Sequence, residues 1–149
     1  MITFVINGEP EAKQRPRMSI RNGYARAYTP KATANYENKV MLCYQEAIKD
    51  MGLTDYLFKN GDYVKISIVA YFSLSKGDYG KKGLNKSGRY KIDNVYCDKH
   101  KDLDNIVKIV LDGLNHVAYR DDKQVVSIEA QKVWTELPPK VVVCLERIN

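Results

Sequence analysis

The stretch of residues 100–126 reads "HKDLDNIVKIVLDGLNHVAYRDDKQVV", and it decides the expected fold. Its apolar residues between Leu103 and Leu114 recur at alternating spacings of three and one, which places them in one stripe along a helix. From about Gln124 to Trp134 the residues are rich in β-branched types and predict a strand. A helix that leads into a strand, within a chain that holds further strands, indicates an α+β domain.

The remaining elements follow from the same periodicities. Thr29 is the expected N-cap of the first helix, with Pro30 at its first position and Gly52 as its stop. Before that helix lies a long ordered loop with a small hairpin at Asn22 and Gly23. The expected elements are strands at 2–6, 63–74, 124–134 and 140–147 and helices at 31–51 and 104–114. The order β-α-β-α-β-β predicts a single domain over 1–149, with a mixed sheet, helices packed on one face and long basic loops.

Basic residues are concentrated in two segments of a chain with a formal net charge of +6. Residues 12–36 hold six Lys/Arg and no Asp/Glu, and residues 75–101 hold eight Lys/Arg against three Asp/Glu. The second segment is rich in glycine, and we expect residues 75–100 to form a flexible basic insertion. Such a concentrated charge indicates a polyanionic partner, most often nucleic acid. A solvated surface that only aids solubility is the alternative.

Several classes of protein are not expected. A chain of 149 residues suits one core, and no apolar run approaches the 18 residues of a membrane span. The start of the sequence lacks the pattern of a secretory signal, and three widely spaced cysteines do not suggest a disulfide framework, so a cytoplasmic location is expected. The absence of a P-loop motif argues against a nucleotide cofactor. Cys97 and His100 lack a second pair of ligands for zinc.

Acidic residues inside the quoted stretch need a separate explanation. Asp102 and Asp104 lie two residues apart before the helix, so in an extended segment they point the same way. Asp122 shares its parity with the apolar face of the following strand, and Asp121 does not. Three converging carboxylates suit a hard cation such as Mg²⁺. Lys108, one helical turn after Asp104, would bring an ammonium beside them.

Each of these residues also has a structural alternative. Asp104 suits an N-cap, and Lys108 suits an i,i+4 surface pair. Asp112 is either a partner of Lys108 or solvated, and the role of Asp121 stays open. Without further information, D-x-D followed by D-D is a weak signal that also occurs in other metal enzymes and by chance.

The residues from Asp102 to Val125 resemble the signature of the RusA family of Holliday junction resolvases. That signature is D-x-D-N-[apolar]-x-K, then D-[small]-L, then D-D-x-Q-V. The earlier "KQRPRM…YTPK" resembles a segment of phage-type members. The resemblance implies catalytic roles for Asp102, Asp104, Asp122 and Lys108, with the three aspartates binding Mg²⁺, for which Mn²⁺ can substitute.

The resemblance also implies an activity and partners. The expected protein is a homodimeric crossover junction endodeoxyribonuclease of a bacterial or phage-infected cell, acting in DNA recombination and repair. It would cut four-way junctions in two symmetric strands and leave 5′-phosphate and 3′-hydroxyl ends. The candidate DNA contacts are the basic residues Lys13, Arg15, Arg17, Lys99, His100 and Lys101. Four tyrosines, Tyr24, Tyr28, Tyr79 and Tyr90, either stack on unpaired bases or pack locally.

The rival hypothesis is a non-catalytic DNA-binding protein that recognises branched DNA with the same basic surface. In that case the aspartates would act as helix caps and salt-bridge partners. Asp102 distinguishes the two, because a cap explains Asp104 and leaves Asp102 without a structural purpose.

Overall fold

The computed structural model describes residues 1–53, 56–74 and 96–149. In this part of the chain it contains six strands and two helices, which confirms the α+β class. They are β1 (Ile2–Asn7), β2 (Arg17–Arg21), β3 (Tyr24–Tyr28), α1 (Lys31–Asp50), β4 (Tyr63–Ser73), α2 (Leu103–Leu114), β5 (Val125–Thr135) and β6 (Lys140–Ile148). Two more strands are present than the expected order allowed, because the segment before α1 forms a regular hairpin.

The described residues fall into two compact units. The first unit comprises Met1–Pro10, Tyr63–His100 and Val125–Asn149 and holds a four-stranded sheet in the order β1-β6-β4-β5. β6 pairs antiparallel with β1 and with β4, whereas β4 and β5 run parallel, so the sheet is mixed as expected. The second unit comprises Glu11–Asp62 and Lys101–Gln124 and holds α1, α2 and the hairpin.

One face of the sheet is apolar and buried across three of its strands, β1, β6 and β4. Alternate residues of β1, β4 and β6 are buried, and their register places them on the same face. Ile128 of β5 lies opposite Ile66 and therefore on this face, in agreement with the expected parity. It is nevertheless 47% exposed, and Val126, which lies at a register shift in the pairing of β4 with β5, is 55% exposed. The residues of β5 are fully buried only near Trp134, at the end of the strand.

The two helices contact each other through a close approach at Gly113. A Cβ added there would lie 2.8 Å from Val40 Cβ and 2.9 Å from the carbonyl oxygen of Glu37. The small residue of the motif is therefore a packing requirement between α1 and α2. The buried residues of α1 follow the expected helical stripe: Thr33, Tyr36, Val40, Tyr44 and Ile48.

The ends of α1 differ in how well they were predicted. Gly52 has φ +75° and its N–H donates to Lys49 O at 2.9 Å, while Leu53 N–H reaches Ile48 O at 3.0 Å. This pair of bonds is a Schellman C-cap, and it confirms Gly52 as the stop. At the other end Pro30, not Thr29, occupies the N-cap position. The helix begins at Lys31, as the expected range 31–51 has it, but the residue expected at its first position is its N-cap.

The hairpin of β2 and β3 confirms the turn expected at Asn22 and Gly23. Both residues have positive φ, +52° and +77°, which suits the tight connection of a two-residue hairpin. β2 and β3 form a sheet of their own, separate from the four-stranded sheet.

Most of the expected basic insertion, with Tyr79 and Tyr90, lies outside the described residues. At its end, Cys97 N–H donates to Lys132 O at 2.9 Å, and Tyr96 forms a bridge with Val133 of β5. Within the described residues, neither helix has the length and apolar composition that a membrane span requires.

Candidate active site at the start of the second helix

The carboxylates of the D-x-D motif lie at the N-terminus of α2. Asp102 occupies the N-cap with extended backbone angles (φ −65°, ψ 134°), and its carbonyl accepts the first helical bond, from Ile106 N–H at 3.1 Å. Asp104 therefore lies in the first turn instead of at the N-cap expected for it. The side chain of Asp102 makes no capping hydrogen bond. Neither carboxylate is thus used as a cap, although the positive end of the helix favours both.

The proposed catalytic side chains are exposed to solvent. Asp102, Asp104 and Asp122 are each exposed, and within the described residues none of them forms an ion pair. Lys108 is also exposed and has no ion-pair partner in the same part of the chain. The alternative of an Asp104–Lys108 surface pair therefore finds no support in the structure.

A short segment before the hairpin, residues 11–13, is bonded to residues at the start of α2 and just before it. The backbone N–H of Lys13 donates to Asn105 O at 2.9 Å. Lys101 Nζ contacts Glu11 Oε2 at 2.6 Å. This segment therefore fixes the backbone on both sides of Asp102 and Asp104.

Lys13 joins both helices through its side chain. Its ammonium contacts Glu37 of α1 and lies 2.9 Å from Asp112 Oδ2 of α2. Burial disfavours the charged lysine, but these two carboxylates outweigh it and raise the pKa of Lys13 above its usual value. Asp112 therefore has Lys13 as its partner, and not Lys108 as the sequence suggested.

The second aspartate of the D-D pair begins a short 3₁₀ turn over Asp122–Gln124, and Asp121 directly precedes this turn. Asp121 Oδ1 accepts the backbone N–H of Lys123 at 2.9 Å, and this bond is the main reason why the pKa of Asp121 is lowered. Asp121 thus stabilises the turn, a role that the sequence left open. The alternation of β5 does not extend back to Asp122, because the turn interrupts it, so strand parity does not decide where Asp122 points.

Gln124 anchors this turn to the end of the segment before β4. Its side-chain amide donates to Lys59 O at 2.7 Å, and its Oε1 accepts Arg120 N–H at 3.0 Å. Gln124 is the Q of D-D-x-Q-V, and sequence reasoning gave it no role. The structure explains it as the residue that holds Asp122 in place.

Tyr119, which precedes the turn in the chain, connects this region to α2 through a buried side chain. It is fully buried, and its hydroxyl donates to Leu111 O at 3.0 Å. Burial raises the pKa of Tyr119, and the negative charges of Asp122 and Asp112 raise it further. The carboxylate of Asp122 is therefore within electrostatic range of a hydroxyl that is bonded to α2.

The donor atoms suit a hard cation, but they do not form a compact cluster. In residues 1–53, 56–74 and 96–149, no three His, Cys, Asp or Glu side chains are grouped so as to hold a metal ion. Asp102 and Asp104, at neighbouring positions of one helix end, supply the oxygen ligands that Mg²⁺ prefers. This ion commonly keeps several waters and uses only one or two carboxylates with substrate phosphate. The helix already begins at Leu103, so the extended segment from which Asp102 and Asp104 were expected to point the same way does not reach Asp104. The convergence of Asp102, Asp104 and Asp122 on one hydrated ion therefore stays a prediction.

The candidate DNA contacts divide into free and engaged residues. Arg15 and Arg17 are exposed and form no ion pair in the described residues. Lys13 and Lys101 are bound to carboxylates, which leaves their ammonium groups less available to a phosphate.

The remaining two candidates lie in the sheet unit. Lys99 is exposed, and its carbonyl accepts the thiol of Cys97 at 3.4 Å. His100 has φ +67°, stacks on Phe72 at 5.2 Å between ring centroids, and meets Trp134 edge-on at 5.4 Å. These ring contacts give His100 a structural role.

Two comparisons with known proteins show what this chain is similar to. The family model described as endodeoxyribonuclease RusA matches residues 7–146, which include the hairpin, both helices and the D-D turn. The uncharacterized protein YqaN of Bacillus subtilis (strain 168) is 30% identical over 148 residues, which cover 99% of this chain and 97% of that protein.

Proposed function

The chain belongs to the RusA family of endodeoxyribonucleases, and we propose on that basis that it is a Mg²⁺-dependent resolvase of four-way DNA junctions. It would hydrolyse two symmetrically placed phosphodiester bonds, as a homodimer with two active sites related by a two-fold axis. This reaction would serve DNA recombination and repair.

The state of Asp102 is the observation that carries the proposal. A carboxylate at a helix N-cap normally accepts a backbone N–H, and that bond stabilises the helix by about 1 kcal/mol. Asp102 makes no such bond, although its backbone occupies the N-cap position. A carboxylate that makes no capping bond is available to bind a cation, and Asp104 in the adjoining turn is exposed and forms no ion pair with any residue that the structure describes.

The residues divide the chemistry as follows. Asp102, Asp104 and Asp122 would hold Mg²⁺, which supplies a nucleophilic water at neutral pH and neutralises charge on the scissile phosphate. Lys108, on the next turn, leans back toward the helix N-terminus and would stabilise the charge that builds on the phosphate oxygens. The water oxygen bonds to phosphorus and the P–O3′ bond breaks, which leaves a 5′-phosphate and a 3′-hydroxyl.

The test compares Asp104→Asn with Asp50→Asn, a matched change of an exposed aspartate at the end of α1. Binding of a synthetic four-way junction is measured without divalent metal, and cleavage is measured over a Mg²⁺ titration. Asp104→Asn should bind the junction at least as well as the wild type and lose about 100-fold or more of its cleavage rate. Asp50→Asn should retain both properties.

Two outcomes would contradict the proposal. Cleavage by Asp104→Asn at the wild-type rate would remove Asp104 from the active site. A wild-type protein that binds the junction but cuts neither junction nor duplex at any Mg²⁺ concentration would instead be a non-catalytic DNA-binding protein.

A further inference from the structure

The hairpin of β2 and β3 has two chemically different faces. Cross-strand partners share a face, so the pairs Arg17–Tyr28, Ser19–Arg26 and Arg21–Tyr24 lie together on one side. The pairs Met18–Ala27 and Ile20–Ala25 lie together on the other side. The first is called the arginine face here, and the second the apolar face. Alternation along two short strands thus separates three arginines and two tyrosines from a wholly apolar surface.

Both faces are open to solvent. Ile20 is 77% exposed and Met18 is 64% exposed, while Tyr24 on the opposite face is 73% exposed. A two-stranded hairpin is marginally stable on its own, and the exposure of its apolar face to water is unfavourable in free energy. We therefore expect a binding partner to cover it.

Charge indicates what kind of partner this is. Residues 12–36 carry six basic side chains and no acidic one, so a partner of the hairpin must tolerate concentrated positive charge. DNA meets this condition through its phosphates, whereas a second copy of the chain would bring its own arginines close to these.

We propose that this hairpin distinguishes branched from linear DNA. The arginine face contacts phosphates, and the apolar face packs against the flat surface of a base pair that a branch point leaves unstacked. This inference rests on the proposed function and names the element by which that function selects its substrate. A linear duplex offers phosphates and groove edges, but its base-pair surfaces are covered by stacking. Away from duplex ends, a branch point is where both surfaces are offered to a thin ribbon, and apolar side chains that insert between base steps are a known means of contact.

The main test replaces the apolar face by Met18→Ser/Ile20→Ser. The control, Leu42→Ser/Met51→Ser, alters two apolar residues of comparable exposure, 57% and 53%, on α1 and at its end. Affinity is measured for a four-way junction and for a linear duplex of the same sequence, without divalent metal so that cleavage does not intervene. The hairpin variant should lose about tenfold in its preference for the junction, with little change on the duplex. The control should keep the wild-type preference.

The arginine face is tested separately with Arg17→Gln and the control Lys49→Gln. Arg17→Gln should weaken binding to both DNAs alike and reduce the slope of log K against log salt by about one. Lys49→Gln should leave the slope unchanged.

The outcomes separate this inference from the proposed function. An unchanged junction preference in Met18→Ser/Ile20→Ser, with a native circular dichroism spectrum, would overturn the inference. So would a change from dimer to monomer in sedimentation, which would assign the apolar face to a second copy. Failure of the wild type to cleave junctions would refute the proposed function, while the two binding measurements would still decide the role of the hairpin.

Discussion

Replacement of Lys13 by methionine is expected to destabilise the helical unit by more than the loss of a salt bridge would suggest. Lys13 contacts carboxylates on both α1 and α2, and the side chains of Lys13, Glu37 and Asp112 are only 19%, 24% and 29% exposed. Methionine keeps the apolar part of the lysine side chain and removes its charge. The two carboxylates are then left facing each other without a cation.

The size of the effect follows from the geometry. Glu37 and Asp112 both reach the same nitrogen, so their nearest oxygens lie no more than roughly 6 Å apart. Two like charges at that separation repel by about 3 kcal/mol at an effective dielectric near 20. Because the site is partly open to water, we expect Lys13→Met to lower the free energy of unfolding by about 2–3 kcal/mol at pH 7. The triple variant Lys13→Met/Glu37→Gln/Asp112→Asn lacks the repulsion and should recover at least half of this loss.

Urea denaturation followed by circular dichroism measures these differences. The control is Lys65→Met, which removes a pair of similar length, 2.7 Å, whose carboxylate on Glu129 is 66% exposed; because water screens this pair, its loss should destabilise the protein much less than Lys13→Met does. Since the pKa of Lys13 is raised, its stabilisation is complete below the unfolded value near 10.4 and disappears as the pH rises through the folded value. A triple variant no more stable than Lys13→Met, or a single variant as stable as the wild type, would refute the proposed role of Lys13.

Two further substitutions test how α2 and the D-D turn are held. Gly113→Ala should lower the free energy of unfolding by about 1–2 kcal/mol, because the new methyl group would lie 2.8 Å from Val40 Cβ. This loss should outweigh the higher helix propensity of alanine. A variant that is more stable than the wild type in urea would contradict the close approach of the helices. Gln124→Ala should reduce the cleavage rate with little effect on junction binding, because the turn at Asp122 loses its bond to Lys59 O. Equal losses in binding and in cleavage would instead show that Gln124 contacts DNA.

Elements with a strong local signal were predictable from the sequence. The stripe of α2 and the stop at Gly52 depend on neighbouring residues alone, and both appear in the structure within a residue or two of the expected bounds. The turn at Asn22 and Gly23 belongs to the same class, because positive φ at both positions favours these two residue types. The strands on either side of this turn, β2 and β3, were not predicted as regular elements. Their arginine and tyrosine residues alternate with small or apolar residues, but both sets are exposed, so no buried apolar face marks them as strands.

Features that depend on distant residues were not predictable from one sequence. Lys13 and Asp112 lie far apart in the chain, and they meet because the segment that holds Lys13 is bonded to α2 through Asn105 O. Lys13, a basic residue in a basic loop, was therefore assigned to DNA, and Asp112 was left as either a partner of Lys108 or a solvated residue. Asp122 shows a different limit, because the alternation of β5 predicted its direction only if the chain were already extended, and a 3₁₀ turn begins at that residue.

The distribution of ion pairs separates the acidic residues of the quoted stretch into two groups. Asp112 has Lys13, and Asp121 has the backbone and side chain of Lys123. Asp102, Asp104 and Asp122 have no such partner in the described residues, although Lys101 and Lys108 lie nearby in sequence. Lys101 is bound to Glu11, and Lys108 is left exposed. These three exposed carboxylates are the ones that the proposed function assigns to a hydrated divalent cation and the phosphate it accompanies.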